Sequence, residues 1–261
     1  MPAKPSLSAL AAEWKDLLLH YQCVVNARMT ERKAMHIELL HHHTQCNNRS
    51  YSLFDLKEVR FVAHYSAYCS RLANPMIRLD DPDNWKNLYR HCHKCNEYYY
   101  IESVIHFFRE LMSLPLGKRS HMVMNTLHWL KNKEGEYDLY LIHVKVIETD
   151  DLGNPWLILV ETELLPGFKP RVFRPIRQLL LIDPQTNAVE KRFPVGKNDE
   201  LRGTQLELLR LLNDNPDLKS LAATQGISIN NLKSRCTRIL RNLNASNVPQ
   251  AVTMTNYLRL L

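Results

Sequence analysis

The sequence predicts an α+β chain in which an antiparallel sheet with helices is followed by a separate all-α domain. Three observations predict it. From His121 to Glu163 apolar and polar residues alternate, interrupted by two Gly-containing turns, the pattern of half-buried antiparallel strands. After Asn198 the spacing becomes helical. The charge also divides: residues 1–165 hold 19 Lys+Arg against 20 Asp+Glu, whereas residues 166–261 hold 15 against 7. The whole excess of a chain with net charge +7 therefore lies in its last third, as expected when one part of a chain meets a polyanion. At 261 residues there is room for two domains of ordinary size.

Residues 1–49 read as a helical segment. Leu10, Trp14, Leu17, Leu18 and Tyr21 recur at helical spacing, and a second apolar run holds Met35, Ile37, Leu39 and Leu40. From Ser50 to Tyr65 two short β-rich runs flank a polar break and predict a hairpin. Residues 66–112 read as short helices. Asp80-Asp81-Pro82-Asp83 supplies a capping signal before Trp85, and Ile101–Met112 forms the strongest of them. Three strands follow, near 122–129, 137–149 and 156–163. They are joined by Lys133-Glu134-Gly135-Glu136 and Asp151-Leu152-Gly153-Asn154-Pro155, an antiparallel meander. Residues 166–197 hold five of the thirteen prolines and read as a connector containing a hairpin around Pro184–Asn187.

Two strands, a patch of helices and three strands, with Asp55-Leu56-Lys57 at the start and the two Gly turns at the end, resemble a PAS-type sensor domain over residues 50–165. The resemblance implies a sensing or dimerisation module. Trp129, Tyr140, Trp156, Phe107 and Phe108 are candidates to line a small-molecule pocket there, and simple core is the other reading of the same residues.

Residues 198–261 carry the most specific pattern. Asp217 can cap a short helix whose inward residues are Leu218, Leu221 and Ala222. Gly226 supplies a left-handed residue that reverses the chain, and Ser228 caps the next helix. In that helix Ile229, Leu232, Cys236, Ile239, Leu240 and Leu243 fall on one stripe. Asn231, Ser234, Arg238 and Arg241 form the opposite pole, flanked by Asn230, Lys233, Arg235 and Thr237. No carboxylate occurs from Ile227 to Leu261. A helix face with cations and amides but no acid suits phosphates and base edges.

Short helix, Gly turn and longer basic helix are the helix-turn-helix plan. Leu206–Leu212, Leu221-Ala222, Ile227-Ser228, Leu232-Lys233, Ile239-Leu240-Arg241 and Leu243, with Ala251-Val252 and Leu260-Leu261, resemble the LuxR-type DNA-binding domain over Leu201–Leu261. That resemblance implies that Lys233, Ser234 and Thr237 face bases, that Lys219, Asn231 and Arg235 meet phosphates, and that the last helix carries a dimer contact. The helical wheel adds Arg238 and Arg241 as phosphate partners and places Asn230 beside them. The chain departs from that family at Gln205 (usually Glu), Asn215 (usually Gly), Asn231 (usually Thr) and Arg235 (usually His). An Arg in place of His keeps a donor and fixes its charge.

The resulting expectation is a transcription regulator that binds double-stranded DNA as a homodimer, with a small-molecule or protein signal received at the PAS-like domain. The alternatives are a protein-interaction adaptor whose helix-turn-helix does not bind DNA, and a metal sensor built on His91-Cys92-His93-Lys94-Cys95 with His41-His42-His43 and Cys46. Regular paired ligand spacings are missing from those runs, so no metal site is assigned. With seven glycines there is no phosphate-cradling loop or nucleophile elbow, and no catalytic residue or cofactor is expected. The cysteines are expected to be free thiols. No apolar run spans a bilayer and the N-terminus is not a secretory signal, so a cytoplasmic location is expected.

Overall fold

The structure, a computed structural model, describes residues 5–67, 77–81, 83–86, 94–168, 176–193, 201, 203–243 and 245–261, the side chains of 94–96 excepted. The chain divides into two compact units, Met1–Val195 and Gly196–Leu261.

In the first unit seven strands form one sheet. They are β1 (Ser50–Asp55), β2 (Arg60–Tyr65), β3 (Met122–Lys131), β4 (Tyr137–Thr149), β5 (Pro155–Leu165), β6 (Ile176–Ile182) and β7 (Val189–Phe193). Their order is β2-β1-β5-β4-β3-β6-β7, and every neighbouring pair is antiparallel. The predicted hairpin and the predicted meander thus join through β1 and β5, in the register Leu53↔Leu159 and Phe54↔Ile158. This is the PAS-like arrangement that the order of elements foretold, carried two strands further. The hairpin in the segment read as a connector pairs with β3, with Met124 opposite Leu179. Leu179 and Leu181 point into the same core as Met124, so this hairpin is part of the sheet rather than a link beyond it.

Both faces of the sheet are covered. Helix α1 (Leu7–His20) and helix α3 (Lys94–Ser113) bury one face. Leu10, Trp14 and Leu18 of α1 recur every fourth residue, and Trp14 meets Phe108 edge-on at 5.6 Å. Helix α2 (Ala27–Cys46) lies on the other face, where Met29 and Leu40 pack with Leu53, Trp156, Leu157 and Leu159. Strand β1 is buried at every position because Phe54 faces one core while Tyr51 and Leu53 face the other. The apolar run expected to bury α2 behaves otherwise: Met35 and Leu39 are 61% and 50% exposed. The inward stripe is Met29, Lys33, His36 and Leu40, half of it polar and satisfied by Asp55 and Glu148.

Turns are set by carboxylates and amides. Asp150 Oδ1 accepts the N–H groups of Leu152 and Asn154, while its Oδ2 accepts that of Val24. Asp183 does the same for Gln185 and Thr186. Gly153 has φ +83° and sits against Leu116, where a Cβ would come within 3.1 Å.

The second unit is all helix: α4 (Gly203–Asp214), α5 (Leu218–Thr224), α6 (Ile229–Leu243) and α7 (Val248–Tyr257). Its core is built from Leu208, Leu209, Leu212, Leu221, Ala222, Leu232, Cys236, Ile239, Leu243, Ala251, Met254 and Leu258. Among the described residues no helix is long and apolar enough to cross a membrane. Cys23, Cys46 and Cys236 are free thiols; Cys69, Cys92 and the side chain of Cys95 lie outside the described residues.

Candidate nucleic-acid interface

Three local devices hold α6 in place. Asp217 accepts the N–H groups of Lys219 and Ser220 at 3.0 and 3.2 Å and so starts α5. Gly226, at φ +62°, reverses the chain, and the N–H of Ile227 reaches back to the carbonyl of Ala222. Ser228 Oγ accepts the N–H of Asn231 at 3.2 Å and starts α6. The inner stripe of α6 is Leu232, Cys236, Ile239 and Leu243, all buried.

Its other side is wet. Lys219, Asn230, Asn231, Lys233, Ser234, Arg235, Thr237, Arg238 and Arg241 are all exposed, so the structure brings eight of these nine expected residues onto one helix face, with Lys219 at the start of α5. No carboxylate among the described residues forms an ion pair with Lys219, Lys233, Arg235, Arg238 or Arg241. Arg235 Nε donates to Asn231 Oδ1 at 3.1 Å, which orients the guanidinium through a neutral partner and leaves its charge unspent. The hydroxyls of Ser234 and Thr237 donate to the carbonyls of Asn230 and Lys233 at 2.9 and 3.0 Å. Their lone pairs therefore point outward as acceptors, suited to the exocyclic amines of adenine or cytosine.

Along one flank of α6, Arg235, Arg238, Ile239 and Asn242 line a cleft whose other wall is Thr204, Gln205 and Leu208 of α4. Asn242 reaches Gln205 Oε1 at 3.5 Å. Neither Thr204 nor Asn242 stood out in the sequence. The wall that Thr204 and Gln205 make opposite the arginines becomes visible only once α4 is laid against α6.

The first unit holds a second feature. A small cavity of about 60 Å³ lies between α1, α3 and the sheet, with Trp14, Phe54, Trp85, Tyr100, Phe107 and Phe108 in its wall. Of the aromatics read as either pocket wall or simple core, Phe107 and Phe108 line the cavity. Tyr140 belongs to the surrounding core, Trp129 is buried away from the cavity, and Trp156 packs under α2 on the opposite face. Trp156 Nε1 donates instead to the buried Asp55, which also accepts Lys57, Glu58 and Lys33. Beside the cavity, Tyr100 meets the ring of His128 at 5.6 Å. His128 is fully buried, and among the described residues neither its ring nitrogens nor Thr126 Oγ1 have a hydrogen-bond partner. Burial, reinforced by the nearby Arg177 charge, pushes the His128 imidazole down to about 3. Arg177 itself is buried and donates to Glu102, Ser103 and the carbonyl of Tyr99.

The remaining candidates are scattered. Asp80 pairs with Arg78, and Asp81 accepts the N–H of Asp83, all at the surface before a single 3₁₀ turn. His91, Cys92 and His93 lie outside the described residues, and among the described residues no group of three His, Cys, Asp or Glu could hold a metal.

No protein-family model matches the chain, and no curated protein matches it in sequence. Similar solved structures exist. A Vibrio cholerae VqmA dimer without its target DNA, described among LuxR-type receptors, is 13% identical, covers 85% of this chain and 88% of its own, and has a TM-score of 0.34. A Vibrio cholerae VqmA–ligand–DNA complex is 13% identical over 81% and 83%, with a TM-score of 0.33. A phage VqmA–DPO complex is 12% identical over 89% and 91%, with a TM-score of 0.34.

Proposed function

We propose that this chain is a sequence-specific DNA-binding transcription regulator. In this reading the helix-turn-helix reads double-stranded DNA as a homodimer, and the PAS-like unit receives a signal. The observation that carries it is the exposed, acid-free face of α6, where four cations and two outward-facing hydroxyls share one surface with no carboxylate to neutralise them. Such a face has little use in packing. It supplies both elements of DNA recognition, charge for phosphates and directed polar atoms for base edges. Lys233, Ser234 and Thr237 take the bases. Lys219, Asn231, Arg235, Arg238 and Arg241 take the backbone, with Asn230 at the edge of the reading surface.

The signal at the first unit is a small molecule. The aromatic cavity suits an apolar ring, and His128, which meets Tyr100 of the cavity wall and has no hydrogen-bond partner among the described residues, offers a hydrogen bond that a polar substituent completes.

Selection from a randomised duplex library tests the central reading. The full chain enriches one preferred site, and replacing Lys233, Ser234 and Thr237 together by Ala removes the preference while leaving binding to mixed-sequence duplex largely intact. A library that stays random after selection with the folded wild-type chain overturns the proposal.

A further inference from the structure

The cleft between α4 and α6 is not accounted for by the base-reading pole. Counting around α6 at 3.6 residues per turn, Asn231, Ser234, Arg238 and Arg241 define that pole, Asn230, Lys233 and Thr237 lie on one flank, and Arg235 and Asn242 lie on the other, turned toward α4. That second flank is where the cleft runs. Its polar lining is Thr204 and Gln205 from α4 and Arg235, Arg238 and Asn242 from α6, with Leu208 and Ile239 at the floor. Among the described residues the lining contains two arginines, two amides, a hydroxyl and no carboxylate. The first turn of α4 also carries no acid, so its leading N–H groups add positive potential at the same end. Two guanidiniums on neighbouring turns, unpaired with any acid among the described residues, repel one another unless an anion lies between them.

We propose that this cleft is a phosphodiester seat: one backbone phosphate of bound DNA sits between α4 and α6, held by Arg235, Arg238 and Asn242 on the α6 wall and by Thr204 and Gln205 on the α4 wall. The inference rests on the DNA-binding reading and deepens it. It assigns binding roles to Thr204, Gln205 and Asn242 and makes α4 a DNA-contacting helix. A neutral Gln205 is essential to it, because a carboxylate at that position cancels one arginine.

The test adds a charge to the cleft without deleting any basic residue. The full chain is titrated with a mixed-sequence duplex at several salt concentrations, alongside Gln205→Glu, Asn242→Asp and the control Asn213→Asp. Asn213 lies at the far end of α4, and its substitution makes the same change in net charge. Each phosphate contact contributes about −0.9 to the slope of log K against log salt. The expected result is that Gln205→Glu and Asn242→Asp each flatten the slope by about one while Asn213→Asp leaves it unchanged. Two substitutions from opposite walls guard against one of them failing to fold, which thermal melting reports. If the wild type binds with a steep slope and all three variants keep it, the phosphate seat is wrong and the DNA-binding reading stands. If the folded wild type does not bind the duplex at low salt, the DNA-binding reading itself is overturned and this inference goes with it.

Discussion

The sheet unit and the helical unit handle polarity in opposite ways. In the sheet unit the charged and titratable groups that define the structure are inside. Asp55 ties β1 to α2 through Lys33, Arg177 ties β6 to α3 through Glu102, and His128 sits against Tyr100 with no hydrogen-bond partner among the described residues. In the helical unit the core is aliphatic apart from Cys236 and Thr255, and every cation expected to bind DNA faces solvent. Buried polarity costs stability unless satisfied, so it marks places where structure or a ligand completes the bonds. Exposed, unpaired cations cost little in the fold and are available to a polyanion. The contrast fits the proposed function, with reception in the first unit and DNA contact in the second.

The sharpest way to break that contrast is to remove one arginine from each unit. Arg177→Met strands Glu102 and the carbonyl of Tyr99 at a buried site, and is expected to lower stability by about 3–5 kcal/mol. Arg238→Met in the helical unit is expected to change it by no more than about 0.5 kcal/mol while weakening DNA binding. Denaturant midpoints of the two variants decide this, and equal losses would erase the distinction.

A pH series gives a smaller effect with a definite sign. The His128 imidazole is depressed to about 3 and His64 to about 4, both by burial, so each stays neutral in the folded chain where the unfolded chain takes up a proton. The stability that depends on their neutrality is present above the unfolded value near 6.5. It is lost as pH falls from there toward the folded values. His128 alone is expected to remove about 2 kcal/mol between pH 6.5 and about pH 5. A His128→Leu variant should show a flatter stability profile over that window, and a profile as steep as the wild type's would place the proton uptake elsewhere. A ligand bonded to His128 should raise the melting temperature of the wild type and do so less in the variant.

The smallest effect concerns the cap of α5. Asp217→Ala removes the acceptor for two N–H groups and should cost about 1 kcal/mol, seen as a lower midpoint in thermal unfolding.

Much of the helical unit was legible in the sequence because its signals are local. Asp217, Gly226 and Ser228 each act within three residues of themselves, and the stripe from Leu232 to Leu243 needs only a helical period to be seen. The meander was legible for the same reason, its turns being written in Asp150, Gly153 and Gly135. What stayed hidden depends on distant partners. A period of two puts Trp156 on a strand face but does not tell which side of a sheet covered on both faces it takes, so Trp156, read as either pocket wall or core, is core under α2. The β6–β7 hairpin looked like a connector because its prolines are local and its pairing with β3 is not. Asn84 gave no signal at all, yet its amide bonds both the N–H and the carbonyl of Phe61 from a fully buried position. On α2, Met35 and Leu39 marked the apolar run, whereas the surface that the sheet offers there selects Lys33 and His36.

The most direct test of the account is the salt dependence of binding between the full wild-type chain and a mixed-sequence duplex from about 50 mM to about 200 mM salt. Lys219, Arg235, Arg238 and Arg241 engaging phosphates predict that log K falls linearly with log salt at a slope of about −3 to −4. A flat response, or no binding at the lowest salt by a folded protein, contradicts the claim that the exposed face of α6 is a DNA-binding surface.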